Sequence, residues 1–171
     1  MHGGIEGLAV AGLQKAVIKR ASATVSIGML VEEARTKYRD GKKGFVQFFD
    51  VSAIISRMHM LGAYANALSA FKEKSNASSS VQMEMLLFAA MTRQIGDAVK
   101  IAGAKTNEDF LLFATSDKAY RTIADKIKKS EEPVFTRKEG IRNAQRYGIN
   151  PSKDLDAAVL NAMALSGLLE S

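Results

Sequence analysis

Helical periodicity dominates the hydrophobic pattern, and its clearest stretch runs from Ser79 to Gly103. From Val81 to Met91 the chain is apolar on nearly every side, interrupted by Gln82 and Glu84. A helix of that kind must be buried in protein or in membrane. The run is too short for a bilayer, which needs about 20 residues, so it reads as the central helix of a globular domain. Ser79 with Gln82 forms a capping-box pattern at its start. The pattern turns polar at Thr92-Arg93-Gln94 and resumes until Gly103. If Thr92 caps a new helix, Arg93 stands in its first turn, where a cation opposes the helix dipole. Val81, Met85, Phe88, Thr92, Ile95, Val99 and Ala102 also fit one unbroken stripe, so a single kinked helix is the other reading.

The flanking pattern predicts further elements. The first 25 residues read as irregular, with a possible strand at KAVIKRA, residues 15–21. Ile27 to Tyr38 is amphipathic, with Glu32 and Glu33 before Arg35 and Lys37, and Gly41 and Gly44 beyond its end. FVQFF (45–49) and DFLLFAT (109–115) read as strands. Between them, two apolar stripes predict a long helix from about Ala53 to Phe71, covered on two faces. Ser116-Asp117 predicts a helix to about Lys128, and Pro133 to Phe135 a short edge strand. Thr136 with Glu139 is a capping box, and Gly148 suits the end of that helix. Asn150-Pro151-Ser152 opens a last apolar helix to about Leu169. Together these predict an α+β fold: a single domain over residues 1–171, with one small mixed sheet of about four strands and about six to seven helices.

Composition narrows the chemistry. No cysteine is present, which removes thiolate nucleophiles, disulfides and cysteine-ligated metals. The two histidines, His2 and His59, form no metal-binding spacing, so neither metal nor cofactor is expected. No membrane span or secretory leader is legible, which makes a cytoplasmic location the expectation. The net charge of +6 points weakly to an anionic partner, because bases and acids interleave along the chain. An enzyme would have to rest on Glu84 and His59, the best candidates for a perturbed carboxylate and an interior base. The plainer roles are an ion pair for Glu84 and a hydrogen-bonded packing position for His59. Arg93 is open between a functional cation and a partner of Glu84 or Asp97. The apolar surface of the last helix either packs on the sheet or docks a partner.

The run EMLLFAAMTRQIGDAVKIAGAK resembles the kinase-binding small subunit of the KEOPS complex, the PRPK-binding protein family. Glu84, Leu86, Ala89, Arg93, Gln94, Ile95 and Gly103-Ala104-Lys105 carry the likeness. Upstream, FFDVSAIISRMHMLGAYANAL adds a strand, Asp50 and a helix with His59. The likeness covers residues 45 to 130 well and the first 25 poorly; the chain departs from the family at Met91-Thr92, where Gly-Gln is common. The resemblance implies a non-catalytic adaptor that binds the small atypical kinase of the complex, and other subunits through it. It also implies a role in recruiting tRNA by its 3′ CCA end for threonylcarbamoyladenosine synthesis. On that basis Leu155, Val159, Ala162 and Met163 are the expected kinase-binding residues, and Arg57, His59, Arg93 and Gln94 the expected RNA-binding ones. A kinase-independent RNA-binding module is the alternative, with the Glu84/His59 enzyme further away.

Overall fold

The computed structural model describes residues 12–38, 44–150 and 153–168. Four strands, β1 (Val17–Ala23), β2 (Val46–Phe49), β3 (Phe110–Ala114) and β4 (Ile127–Glu131), form one sheet in the order β2-β3-β1-β4. Residues 12–15 are helical, and the helices that follow are α1 (Ile27–Lys37), α2 (Arg57–Glu73), α3 (Val81–Ala90), α4 (Ile95–Ala102), α5 (Asp117–Arg121), α6 (Arg137–Gln145) and α7 (Leu155–Leu168). The expected α+β class is what the chain adopts.

Every pairing in the sheet is antiparallel, where mixed directions were expected. Strand–helix–strand order usually gives parallel neighbours. Here each crossover leaves a gap one strand wide: β3 fills the gap between β1 and β2, and β1 the gap between β3 and β4. That is a split β-α-β arrangement, with helices α2 to α4 inserted between β2 and β3. Strand β3 is buried along its whole length, which explains its unbroken apolar run. On one face Phe113 meets Tyr64 of α2 at 5.0 Å between ring centroids, with Phe45 edge-on to Tyr64 at 5.6 Å. Phe48 and Phe110 meet edge to face at 5.7 Å.

Several boundaries differ from the sequence pattern. Helix α2 starts at Arg57, because Asp50 accepts from the Ser52 amide and closes a 3-10 turn at Val51–Ala53. Ile54 and Ile55 then run extended into the core, and Ser56 caps the helix. Helix α3 is capped by Ser80 rather than Ser79; its hydroxyl accepts from the Met83 amide. Helices α3 and α4 are separate, divided by Met91 in the left-handed region (φ 53°). Thr92 is not the cap of α4: Gln94 holds that position, and Arg93 stands just outside the helix. The helix expected to reach Lys128 stops at Arg121, and Ile127–Glu131 pairs with β1 as edge strand β4. Pro133 to Phe135 forms no strand. Thr136 and Glu139 make the expected capping box, but α6 ends at Gln145, before Gly148. The expected opening of α7 at Pro151-Ser152, and the calls on Gly41, Leu169 and residues 1–11, lie outside the described residues. Helix α7 begins at Leu155, with the Asp154 carboxylate accepting from the Ala157 amide at 2.9 Å.

Two glycines set how closely the helices approach. A Cβ on Gly62 of α2 would lie 2.5 Å from Leu160 and 2.8 Å from Met163 of α7. A Cβ on Gly140 of α6 would lie 2.9 Å from the Ile55 carbonyl oxygen and 2.8 Å from Leu155. The first clash is with flexible side-chain ends; the second includes backbone. Gly140→Ala should therefore destabilise the chain by about 1–3 kcal/mol, measured by denaturant unfolding, and a neutral effect would show that α6 has room to move away.

Candidate functional site

The residues singled out by sequence fall into separate places. Glu84 is fully buried in the first turn of α3. Its carboxylate accepts from the Ser78 amide at 2.9 Å, the Ser78 hydroxyl at 2.7 Å and the Ala77 amide at 3.1 Å. Arg93 reaches back along α3, donating to Glu84 at 3.3 Å and to the Ser75 carbonyl at 2.9 Å. The carboxylate, on the favourable end of the helix dipole, thus ties the α2–α3 loop to the turn before α4. Arg93 is the partner of Glu84, the plainer of its two readings.

His59 is also fully buried. Its Nδ1 accepts from the Ile55 amide at 3.1 Å, which assigns the proton to Nε2, and Nε2 donates to the Ala89 carbonyl at 3.0 Å. Tyr147 stands edge-on to the ring at 5.8 Å, its hydroxyl donating to the Ala53 carbonyl at 2.7 Å. Burial lowers the histidine pKa to about 4, against the weaker opposing pull of the Ala89 carbonyl. With both nitrogens engaged and no exposed surface, His59 cannot contact RNA, which corrects that expectation. Glu84 and His59 serve different networks, toward opposite ends of α3, and no catalytic pair forms between them.

The other expected RNA contacts do not converge either. Arg57 and Gln94 are exposed, at the starts of α2 and α4. Arg57 opens the 17-residue α2, whereas the Arg93 guanidinium sits on Ser75, just beyond that helix's other end. Roughly 25 Å of helix lies between them.

A groove that the sequence did not reveal opens beside edge strand β2. Val31 of α1, Phe48 of β2, Met83 and Leu86 of α3, and Val99 of α4 give it apolar walls, with Arg35, Gln47 and Gln82 also lining it. Its volume is about 140 Å³. Gln47 donates to the Gln82 carbonyl and Gln82 to the Val46 carbonyl, so the two amides stitch β2 to α3 at the groove's edge. Val31 and Val99, 41% and 47% exposed, are the apolar residues left to solvent at its mouth. Such residues on an amphipathic helix were the only available signal.

Helix α7 presents a second unpartnered surface. Val159 and Met163 are fully buried against the fold, so these two expected kinase contacts are core residues. Leu155 and Ala162 are half-buried. Ala157, Asn161, Ala164 and Leu165 face outward, and from Ala157 to Leu168 the helix carries no charge at all. The outer face of a surface helix is normally polar; this one is nearly apolar. Among the described residues no acid, histidine or cysteine cluster could hold a metal, and no helix is long and apolar enough to cross a membrane.

The model of the kinase binding protein CGI-121 family matches residues 28–167, most of the chain. The chain belongs to the CGI-121 family. It is the family to which the run from Glu84 to Lys105 pointed. No curated protein matches the chain. The matched span takes in both the groove and α7, so the CGI-121 chain carries its two open surfaces within the family's own region.

Proposed function

We propose that this chain is a non-catalytic adaptor of the KEOPS complex, which docks its small atypical kinase through the outer face of α7 and helps recruit tRNA by its 3′ CCA end. The observation that carries the docking reading is the uncharged outer face of α7: exposed Ala157, Asn161, Ala164 and Leu165, with Leu165 57% exposed. An apolar helix face of this kind is a usual element of protein docking, and the family is one of kinase binding proteins. Other subunits are reached through the kinase. The groove beside β2 supports the RNA reading. Its aliphatic walls offer van der Waals contact to a base, and the Arg35 guanidinium in its lining offers a plane to stack on or a cation for a phosphate.

Leu165→Glu and Ala164→Glu should each weaken affinity for the kinase at least tenfold in a calorimetric titration while leaving the thermal midpoint unchanged. Val159→Glu should instead unfold the chain, because it places a charge in the core. Unaltered kinase affinity in both outer-face variants would sink the docking assignment. For the RNA end, Val99→Glu should weaken binding of intact tRNA in a gel shift, and removal of CCA should have the same effect. Equal binding of intact and trimmed tRNA would remove the CCA role.

A further inference from the structure

We infer that the outward face of α6, with the end of α4, is a second nucleic-acid surface that holds the phosphate backbone of a structured RNA. This rests on the recruitment reading above and extends it from the RNA end to the RNA body. Lys138 and Arg142 on α6 and Arg146 at its C-cap follow one another at intervals of four, all exposed, while Gly140, Asn143 and Ala144 face the core. The Asn143 amide donates to the Ile54 carbonyl at 2.7 Å, which fixes the rotation of the helix and sends the three cations outward. Arg146 reaches the Ile101 carbonyl at 3.3 Å, and Lys105 donates to the Val99 carbonyl at 3.0 Å, so both surround the end of α4 together with exposed Lys100. Val99 and Gly103, neighbours of Lys100 and Lys105 in sequence, line the groove beside β2. A path of cations therefore leads from the groove onto α6.

None of these five cations makes an ion pair, although eight other lysines and arginines do so among the described residues. Lys100, Lys105, Arg142 and Arg146 each stand at or near a helix C-terminus, where a cation complements the dipole, and Arg142 also donates to the Asn143 side chain. Lys138 has no such task. Lys138 lies in the first turn of α6, where a cation opposes the dipole, and like charges four apart on a helix repel. Glu139 feels the charge of Arg142 without pairing with it, its carboxylate accepting from the Thr136 hydroxyl at 2.8 Å. Asp50, whose charge reaches the neighbouring Tyr147, accepts from the Ser52 amide and hydroxyl. The stripe thus presents three exposed cations with no carboxylate salt-bridged to them, Lys138 against the helix dipole, and a row of phosphates is the partner that matches it. Rule-breaking positions of this kind concentrate at functional surfaces.

The test compares a tRNA transcript with a short single-stranded oligonucleotide ending in CCA, binding the full chain and its Lys138→Glu/Arg142→Glu variant across a salt series. The variant should lose roughly tenfold or more in affinity for the tRNA, and its log–log salt slope should fall by about 2. Affinity for the oligonucleotide should not change. A Lys138→Gln/Arg142→Gln variant should give the same pattern more weakly, with an unchanged melting curve. Unaltered tRNA affinity and slope, or equal losses for the two ligands, would overturn the α6 surface alone. If the unaltered chain binds neither RNA, the recruitment reading falls and this surface with it.

Discussion

Replacing Glu84 by alanine should destabilise the chain by roughly 3–5 kcal/mol, the usual cost of removing one member of a buried pair. The carboxylate is 0% exposed, whereas the Arg93 side chain keeps 22% of its surface in solvent. Loss of the acid leaves the Ala77 and Ser78 amides without this acceptor, while the Ser78 hydroxyl keeps the Ser80 carbonyl at 3.0 Å; buried donors without acceptors cost about 1–3 kcal/mol each. Loss of the arginine is milder, because the carboxylate keeps those three donors and the cation's site admits water. Glu84→Gln should fall between, since one amide oxygen remains but an NH₂ is turned toward N–H donors. Denaturant unfolding with an unchanged m-value would measure all three, and hydrogen exchange at Ala77 and Ser78 would report whether the loop is released. A loss below about 1 kcal/mol for Glu84→Ala would show that the network is dispensable. The functional consequence is indirect. Met83 and Leu86, which wall the groove, flank Glu84 on the same helix, so the carboxylate fixes the wall without touching a ligand.

Local signals located most elements and misplaced those decided by partners distant in sequence. The apolar run of α3 and the strands at β2 and β3 were legible because burial on all sides leaves an unbroken hydrophobic record. The start of α3 was read one residue early, at Ser79, within the run Ser78 to Ser80, and the backbone path selects Ser80. Strand β4, with the sequence IKKSE, is exposed along most of its length and reads as a helix end. Its lysines suit an unprotected sheet edge, where they discourage pairing with other chains, and its strand form comes from the ladder with β1. Helix α7 shows the same limit. Apolar residues lie all around it, so periodicity does not say which side faces inward; Gly62, almost a hundred residues earlier, admits Leu160 and Met163 and settles it. For that reason the outward face lies opposite Val159 and Met163. Arg93 was legible as an anomaly but not as a clamp, because the loop it holds, at Ser75, is distant in sequence.

Folding stability should fall as pH is lowered from 6.5 toward 4, and His59 should account for most of the loss above pH 5. Burial holds its pKa at about 4 in the folded chain, against 6.5 when exposed. The unfolded chain therefore takes up a proton in that interval that the folded chain refuses, so stability is full above pH 6.5 and declines below it. The difference corresponds to about 2 kcal/mol at pH 5 and about 3 kcal/mol once both forms are protonated. The folded ring has no place for a second proton, since Nδ1 accepts from the Ile55 amide and Nε2 already donates to Ala89. Carboxylates contribute at lower pH. Glu33 is held below its ordinary value mainly by its hydrogen bond with Lys37, and Asp109 by its hydrogen bonds with Arg20. Their stabilisation is present above their unfolded values near 4 and is lost only as pH falls past them. Denaturant curves at pH 7.5, 6.0 and 5.0 isolate the histidine. His59→Gln should be less stable than the parent at pH 7.5, through its broken hydrogen bonds, and nearly flat from 7.5 to 5.0. A variant that keeps the parental slope would show that another group carries the pH dependence.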